Sequence, residues 1–168
     1  MYVSEICTHD VVTCTRRAGI QELAQLMRDG HVGDVVVVDR GEAGAVPVGI
    51  VTDRDLVVRV LANGLNVDAV TAGDLMGESL TTVFHSEGVY DAISHMRSRG
   101  IRRLPVVDAH GVLLGVVTMD DIAAHLVAEL ADVVRIVPSQ AGREQQALSR
   151  TPSELIARVP MKAQRLDE

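Results

Sequence analysis

Two short segments carry the residues best suited to chemistry, Thr52-x-x-Asp55 and Thr118-x-x-Asp121. In each, a hydroxyl stands three residues before a carboxylate, at a point where an apolar strand gives way to a helix. That spacing is a capping box: the Thr hydroxyl accepts from a first-turn amide and the carboxylate accepts from the cap amide. Such a cap is worth about 1 kcal/mol and needs no ligand. A third candidate is the basic pair Arg102-Arg103 ahead of Leu104, since guanidinium groups make charge-assisted contacts to phosphate. The pair is equally consistent with a solvated strand entrance matched to acidic neighbours.

Covalent and metal chemistry find no support. The six histidines, His9, His31, His85, His95, His110 and His125, form no i,i+4 pair and have no partner cysteine that would make a zinc site. Cys7 and Cys14 make no metal or redox spacing and are expected to pack as small hydrophobes. No nucleophile motif, P-loop or Gly-x-Gly-x-x-Gly is present, so the chain is expected to be non-catalytic.

The elements that position these residues are written twice. Ile20, Leu23, Ala24 and Met27 lie on one helical face, and Val89, Ala92, Ile93 and Met96 repeat it 69 residues later. The helices are expected to end near Gly30 and Gly100. Val35 to Val38 and Leu104 to Val107 are apolar runs of the kind that form strands covered on both faces. Each is followed by a turn and a second strand, Val48 to Thr52 and Val112 to Thr118, and then by a helix, Asp53 to Ala62 and Met119 to about Val134. After the turn the offset drops to 66 because the first copy carries three extra residues between Gly41 and Pro47. A length change confined to a turn is what duplicated units tolerate. Short strands at Val11 to Cys14 and Thr81 to Phe84 open the copies.

This order, ending twice on Gly-hydrophobic-hydrophobic-Thr-x-x-Asp, resembles a CBS-domain pair (cystathionine-β-synthase-type domains, the Bateman module) over residues 3 to about 130. The resemblance implies an α+β fold of tandem repeats, each a short strand, helix, β-hairpin and helix, packed sheet to sheet about a pseudo-twofold. The expected divisions are residues 1–70, 71–137 and a C-terminal extension, 138–168. It also implies two clefts. One would join Thr118 and Asp121 to Val12 and Val32, the other Thr52 and Asp55 to Thr81 and Ile101, with the apolar members forming an adenine slot.

In the family the Asp accepts from ribose hydroxyls, and a vicinal diol offers two donors to the two carboxylate oxygens. Family members that bind phosphorylated adenosines often carry basic residues where Arg102-Arg103 stand, whereas the aligned residues of the first copy are Gly33 and Asp34. The clefts are therefore expected to be unequal. The Thr118/Asp121 cleft would take a phosphorylated adenosine, while the Thr52/Asp55 cleft binds weakly, takes adenosine alone or stays empty. Arg54, beside the first motif, is a candidate to offset Asp34.

The resemblance implies a regulatory sensor of AMP, ADP, ATP or NAD that needs no cofactor, forms a homodimer through the helices beside the clefts, including Asp120 to Val134, and acts on an unknown protein. The alternative, resting on the capping box, is a ligand-free dimeric stress or scaffold protein. A formal charge of −7 and a pI near 5.3, with no basic run, argue against nucleic acid. No apolar stretch approaches membrane-spanning length and Met1 to Asp10 has no leader pattern, so a cytoplasmic protein is expected. Beyond Pro138, Thr151 would cap a short helix bearing Leu155, Ile156, Val159 and Met161, or the segment is a disordered tail.

Overall fold

The computed structural model describes residues 1–148, with side-chain surroundings through Ile136; the helix expected after Thr151 lies outside the described residues. The chain forms one compact unit over Met1–His125 and a second from Leu126 onward. In the first unit the duplication is visible as two three-stranded sheets. One has the order β1 (Thr13–Cys14), β2 (Asp34–Arg40), β3 (Ala45–Thr52). The other repeats it with β4 (Val83–Phe84), β5 (Arg103–Val107) and β6 (Leu113–Thr118). In both, the short strand runs parallel to the middle strand and the hairpin is antiparallel. A register shift falls at Val37/Val38 and again at Val106/Val107, the equivalent residues. The hairpin strands β3 and β6 lie against each other.

Each sheet is covered by the helix that its periodicity predicts. Helix α1 (Ile20–Gly30) buries Ile20, Leu23 and Met27 against Val35, Val37 and Val51. Helix α4 (Val89–Arg99) buries Val89, Ala92 and Met96 against Leu104, Val106 and Val117. Their C-caps are His31 and Gly100, both in the left-handed region at φ 51° and 65°, which closes the helix ends in the αL manner.

The lead-in segments are exchanged between the cores. Val3 and Cys7 pack in the second core, while Ala72 and Leu75 of α3 (Ala72–Leu75) pack in the first. The backbone bonds obey the same pseudo-twofold: Val3 N–H donates to Glu87 O at 2.9 Å, and Ala72 N–H to Ala18 O at 2.8 Å. Because each lead-in crosses to the other sheet, the repeats fold onto one another rather than side by side.

This exchange explains the glycine that precedes each Thr-x-x-Asp. A Cβ on Gly49 would lie 2.6 Å from the Met76 Cβ, and one on Gly115 would lie 2.8 Å from both Cys7 Sγ and the Thr8 carbonyl oxygen. Only a bare backbone lets the crossing lead-in lie on the strand. Cys7 and Cys14 are buried and unpaired, and burial pushes the Cys14 thiol up to about 11.

The closing helices depart from the expected bounds. After Thr52 the chain makes α2 (Asp53–Asp55), then widens to a π-helical turn over Leu56–Leu61. Ala62 N–H donates to Val57 O and Leu65 N–H to Val60 O, while the Asn63 side-chain amide takes up Val58 O and Arg59 O. Leu56 and Val60 are buried; Val57, Val58 and Leu61 are exposed. After Thr118, α5 runs over Met119–Leu148, past Val134 and through Pro138. In the second compact unit, Val127, Leu130, Val133, Val134 and Ile136 are exposed on this helix. Among the described residues no helix is long and apolar enough to cross a membrane. The opening strands are shorter than expected, starting at Thr13 and Val83, and β6 starts at Leu113.

The short turn of the second hairpin is held by Asp108, whose Oδ1 accepts from Val112 N–H at 2.9 Å and His110 N–H at 2.8 Å. The Val112 bond, more than any other contact, holds this carboxyl below the usual carboxylate range. A depressed carboxyl contributes stability that is complete above its unfolded value and is lost as pH falls through the folded one. Asp108→Ala is therefore expected to lower the melting temperature at pH 7. It should also flatten the further fall in melting temperature between about pH 4 and lower values, as read by thermal melts across that range.

Candidate functional site

The two Thr-x-x-Asp segments form the capping boxes that their spacing predicts, with nearly identical geometry. Thr52 N–H and Oγ1–H donate to Asp55 Oδ2 at 2.9 and 2.7 Å, and Asp55 N–H donates to Thr52 Oγ1 at 3.2 Å. For Thr118 and Asp121 the three distances are 2.8, 2.7 and 3.2 Å. Both boxes use Oδ2 alone, so each carboxylate has Oδ1 outside the cap. Thr71-Ala72-Gly73-Asp74 is a third box, at the start of α3, with Thr71 N–H and Oγ1–H donating to Asp74 Oδ2 at 2.9 and 2.6 Å. Unlike the other two, it follows no Gly-led strand.

Beside each of the first two boxes lies a cavity, and the two cavities are built from equivalent positions. The larger, about 550 Å³, is lined by Thr52, Ile50, Thr81, Ile101 and Arg103 among others. The smaller, about 120 Å³, is lined by their counterparts Thr118, Val116, Val12, Val32 and Asp34. Thr52, Thr81 and Ile101 thus meet in one cleft and Thr118, Val12 and Val32 in the other, while Asp55 and Asp121 stand behind their Thr partners and line neither.

The difference in size has a local cause. Thr8 and Val116 exchange a pair of backbone bonds, each 2.9 Å, which draw the first lead-in onto β6 and narrow the Thr118 cleft. Among the described residues no equivalent pair joins Gly77 to Ile50. Gly77, Ser79 and Leu80 therefore stand off from β3 and form an open wall of the Thr52 cleft.

Charge separates the clefts further, in the opposite sense to the sequence expectation. Arg102 and Arg103 line the Thr52 cleft, together with Arg99 and Arg54. The Thr118 cleft carries Asp10 and Asp34. Aligning the copies sets Arg102 against Gly33 but cannot show which cleft either faces. In the fold, Arg102 and Arg103 directly follow Ile101 and so share its cleft. The cleft expected to hold phosphate through these arginines, that of Thr118 and Asp121, is the acidic one. Arg99 was missed altogether; its signal is its place at the end of α4, beside Gly100 and Ile101.

Arg103 is also paired across the molecule, its Nη1 donating to Asp34 Oδ1. Burial lowers its hold on the proton, and the charge of Asp120 opposes that shift. Arg102 is exposed. The Thr52 cleft can accordingly offer hydroxyls, two partly apolar walls and four guanidinium groups to one ligand, with Asp53 as the carboxylate among its lining residues. Among the described residues no group of three or more His, Cys, Asp or Glu could hold a metal ion.

Two repeats with exchanged lead-ins and a cleft at each strand-to-helix junction define a tandem-repeat module. The CBS domain model matches residues 3–62 and 72–128, and the chain belongs to the CBS-domain family, a non-catalytic regulatory fold. An uncharacterized protein of Methanopyrus kandleri is 42% identical over 120 residues, 71% of this chain and 60% of that protein, so the match spans less than two thirds of the relative's length. A CBS domain protein of Pyrobaculum aerophilum, solved complexed with AMP, is 29% identical with a TM-score of 0.66, covering 76% of this chain and 99% of that one. The CBS domain pair of protein MJ0100, solved with 5-methylthioadenosine and S-adenosyl-L-methionine, is 26% identical with a TM-score of 0.66, covering 77% and 98%. Adenosyl ligands thus occupy members of this family.

Proposed function

We propose that this chain is a regulatory sensor that binds a phosphorylated adenosine, AMP, ADP, ATP or NAD, in the Thr52 cleft. The observation that carries this reading is the 550 Å³ cavity in which Arg54, Arg99, Arg102 and Arg103 surround the capped Thr52. Thr81 and Ile101 would flank the adenine. The Asp55 carboxylate would accept from the ribose diol through Oδ1 or by exchanging its cap bonds, and the arginines would hold phosphate. The Thr118 cleft, with Val12, Val32 and Asp121 in the equivalent roles, is small and acidic, so it would take an uncharged or cationic adenosine or none.

Binding regulates only through differential affinity for two states. The switching relation would be that between the exchanged repeats, or between subunits of a homodimer. Exposed Val57, Val58 and Leu61 beside the Thr52 cleft, and the exposed apolar residues of α5, are surfaces such a dimer would cover. The complete capping boxes favour one other reading, a ligand-free dimeric scaffold or stress protein in which Thr-x-x-Asp only starts helices.

The test is isothermal titration of nucleotide-stripped protein with AMP, ADP, ATP, NAD and S-adenosylmethionine. One micromolar site per chain for an adenosine phosphate is the expected result. No binding by any of the five would leave the scaffold reading. Two equal phosphate-dependent sites would contradict the role given to Asp34.

A further inference from the structure

Asp34 and Arg103 hold the same position in the two copies, 69 residues apart, yet each lines a different cleft. They are nevertheless bonded to one another, with side chains only 18% and 25% exposed. The pair therefore ties the acidic cleft to the basic one. Arg102 is different, because its counterpart is Gly33 and no carboxylate faces it from the equivalent position.

A charge this far from solvent is costly unless an opposite charge accompanies it. Arg103, whose charged form burial already disfavours, has Asp34 as its bonded anion and the charge of Asp120 nearby. A phosphate entering the Thr52 cleft offers another anion to the same guanidinium. If Arg103 turns to the phosphate, Asp34 is left with Asp10 in the smaller cleft, where two carboxylates repel any second phosphate.

We infer that the Asp34–Arg103 ion pair couples the two clefts, with Asp34 competing against ligand phosphate for Arg103 so that one chain accepts one phosphorylated nucleotide. This rests on the reading of the Thr52 cleft as the phosphate site. Coupling of this kind is reciprocal. A cation or a hydrogen-bond donor that engages Asp34 in the smaller cleft releases Arg103 and strengthens phosphate binding in the larger.

The experiment is calorimetric titration of the full chain with AMP, comparing wild type, Asp34→Asn, Arg103→Gln and the double variant. Removing the competitor in D34N is expected to tighten AMP roughly tenfold, close to the smallest couplings measured for close charge pairs. R103Q should weaken AMP, and D34N should then bring no gain in the R103Q background. An equal gain with and without Arg103 would reduce Asp34 to a general field effect and overturn the coupling, as would unchanged or weaker binding in D34N. If wild type takes up no AMP, the phosphate site itself is wrong and the coupling falls with it. Normal wild-type binding with an unaffected D34N removes the coupling alone. Asp34→Ser carries the same expectation should D34N fold poorly.

Discussion

Gly115→Ala is expected to destabilise the protein by about 3 kcal/mol, from overpacking and the loss of up to two backbone hydrogen bonds. The new methyl group would sit 2.8 Å from the Thr8 carbonyl oxygen as well as from Cys7 Sγ. A thiol can rotate away, but the carbonyl belongs to the Thr8–Val116 pair and can move only if the lead-in lifts off β6. Alanine's lower unfolded-state entropy returns less than about 1 kcal/mol of this. For a chain of this size the melting temperature should drop by roughly 5–10 °C.

The identity of the obstructing atoms can be checked in a double variant. Cys7→Ala alone opens a small void in the second core, where Cys7 packs with Val3 and Val117, and is expected to cost about 1 kcal/mol. In the Gly115→Ala background the same change removes one of two clashes, so the two effects should be clearly less than additive. Additive losses in thermal or urea melts would show that the thiol does not obstruct the new methyl and leave the Thr8 carbonyl oxygen as the obstructing atom. Gly77→Ala is the control, because the nearest atom to its new methyl is 4.0 Å away.

These contacts mark where the sequence could and could not be read. Helical spacing from Ile20 to Met27 and from Val89 to Met96 located both covering helices because one buried face suffices to define them. The valine run over Val35 to Val38 announced a strand with few exposed positions, and the structure buries Val35, Val36 and Val37. Spacing within a repeat says nothing, however, about which sheet a segment covers. Residues 4–7 and 73–76 fall at the same 69-residue offset, but their exchange depends on long-range bonds such as Val3 to Glu87. The arginines were misassigned on a different ground: they directly follow Ile101, which the resemblance sets in the Thr52 cleft, and they share that cleft with it. The helix expected to end near Val134 runs on for another reason: a proline costs a helix one hydrogen bond locally, and α5 continues through Pro138 to Leu148.

The three Thr-x-x-Asp boxes form an internal comparison that separates capping from binding. Asp55→Ala, Asp74→Ala and Asp121→Ala each remove two hydrogen bonds of closely matched length. All three should therefore lower the stability of the ligand-free protein by a similar amount, about 1 kcal/mol. Only Asp55 stands beside the arginine-lined cleft. With AMP at 100 times its dissociation constant, wild type should gain about 2.7 kcal/mol. Asp74→Ala and Asp121→Ala should keep that gain, and Asp55→Ala should lose nearly all of it. Its deficit in saturating nucleotide then approaches 4 kcal/mol, the sum of cap and linkage terms. Melting curves of the four proteins with and without AMP measure both quantities at once. If Asp121→Ala loses the AMP response while Asp55→Ala keeps it, phosphate binds in the acidic cleft and the arginines serve another purpose. If all four respond alike, the carboxylates are helix caps alone and the ribose is held by other groups.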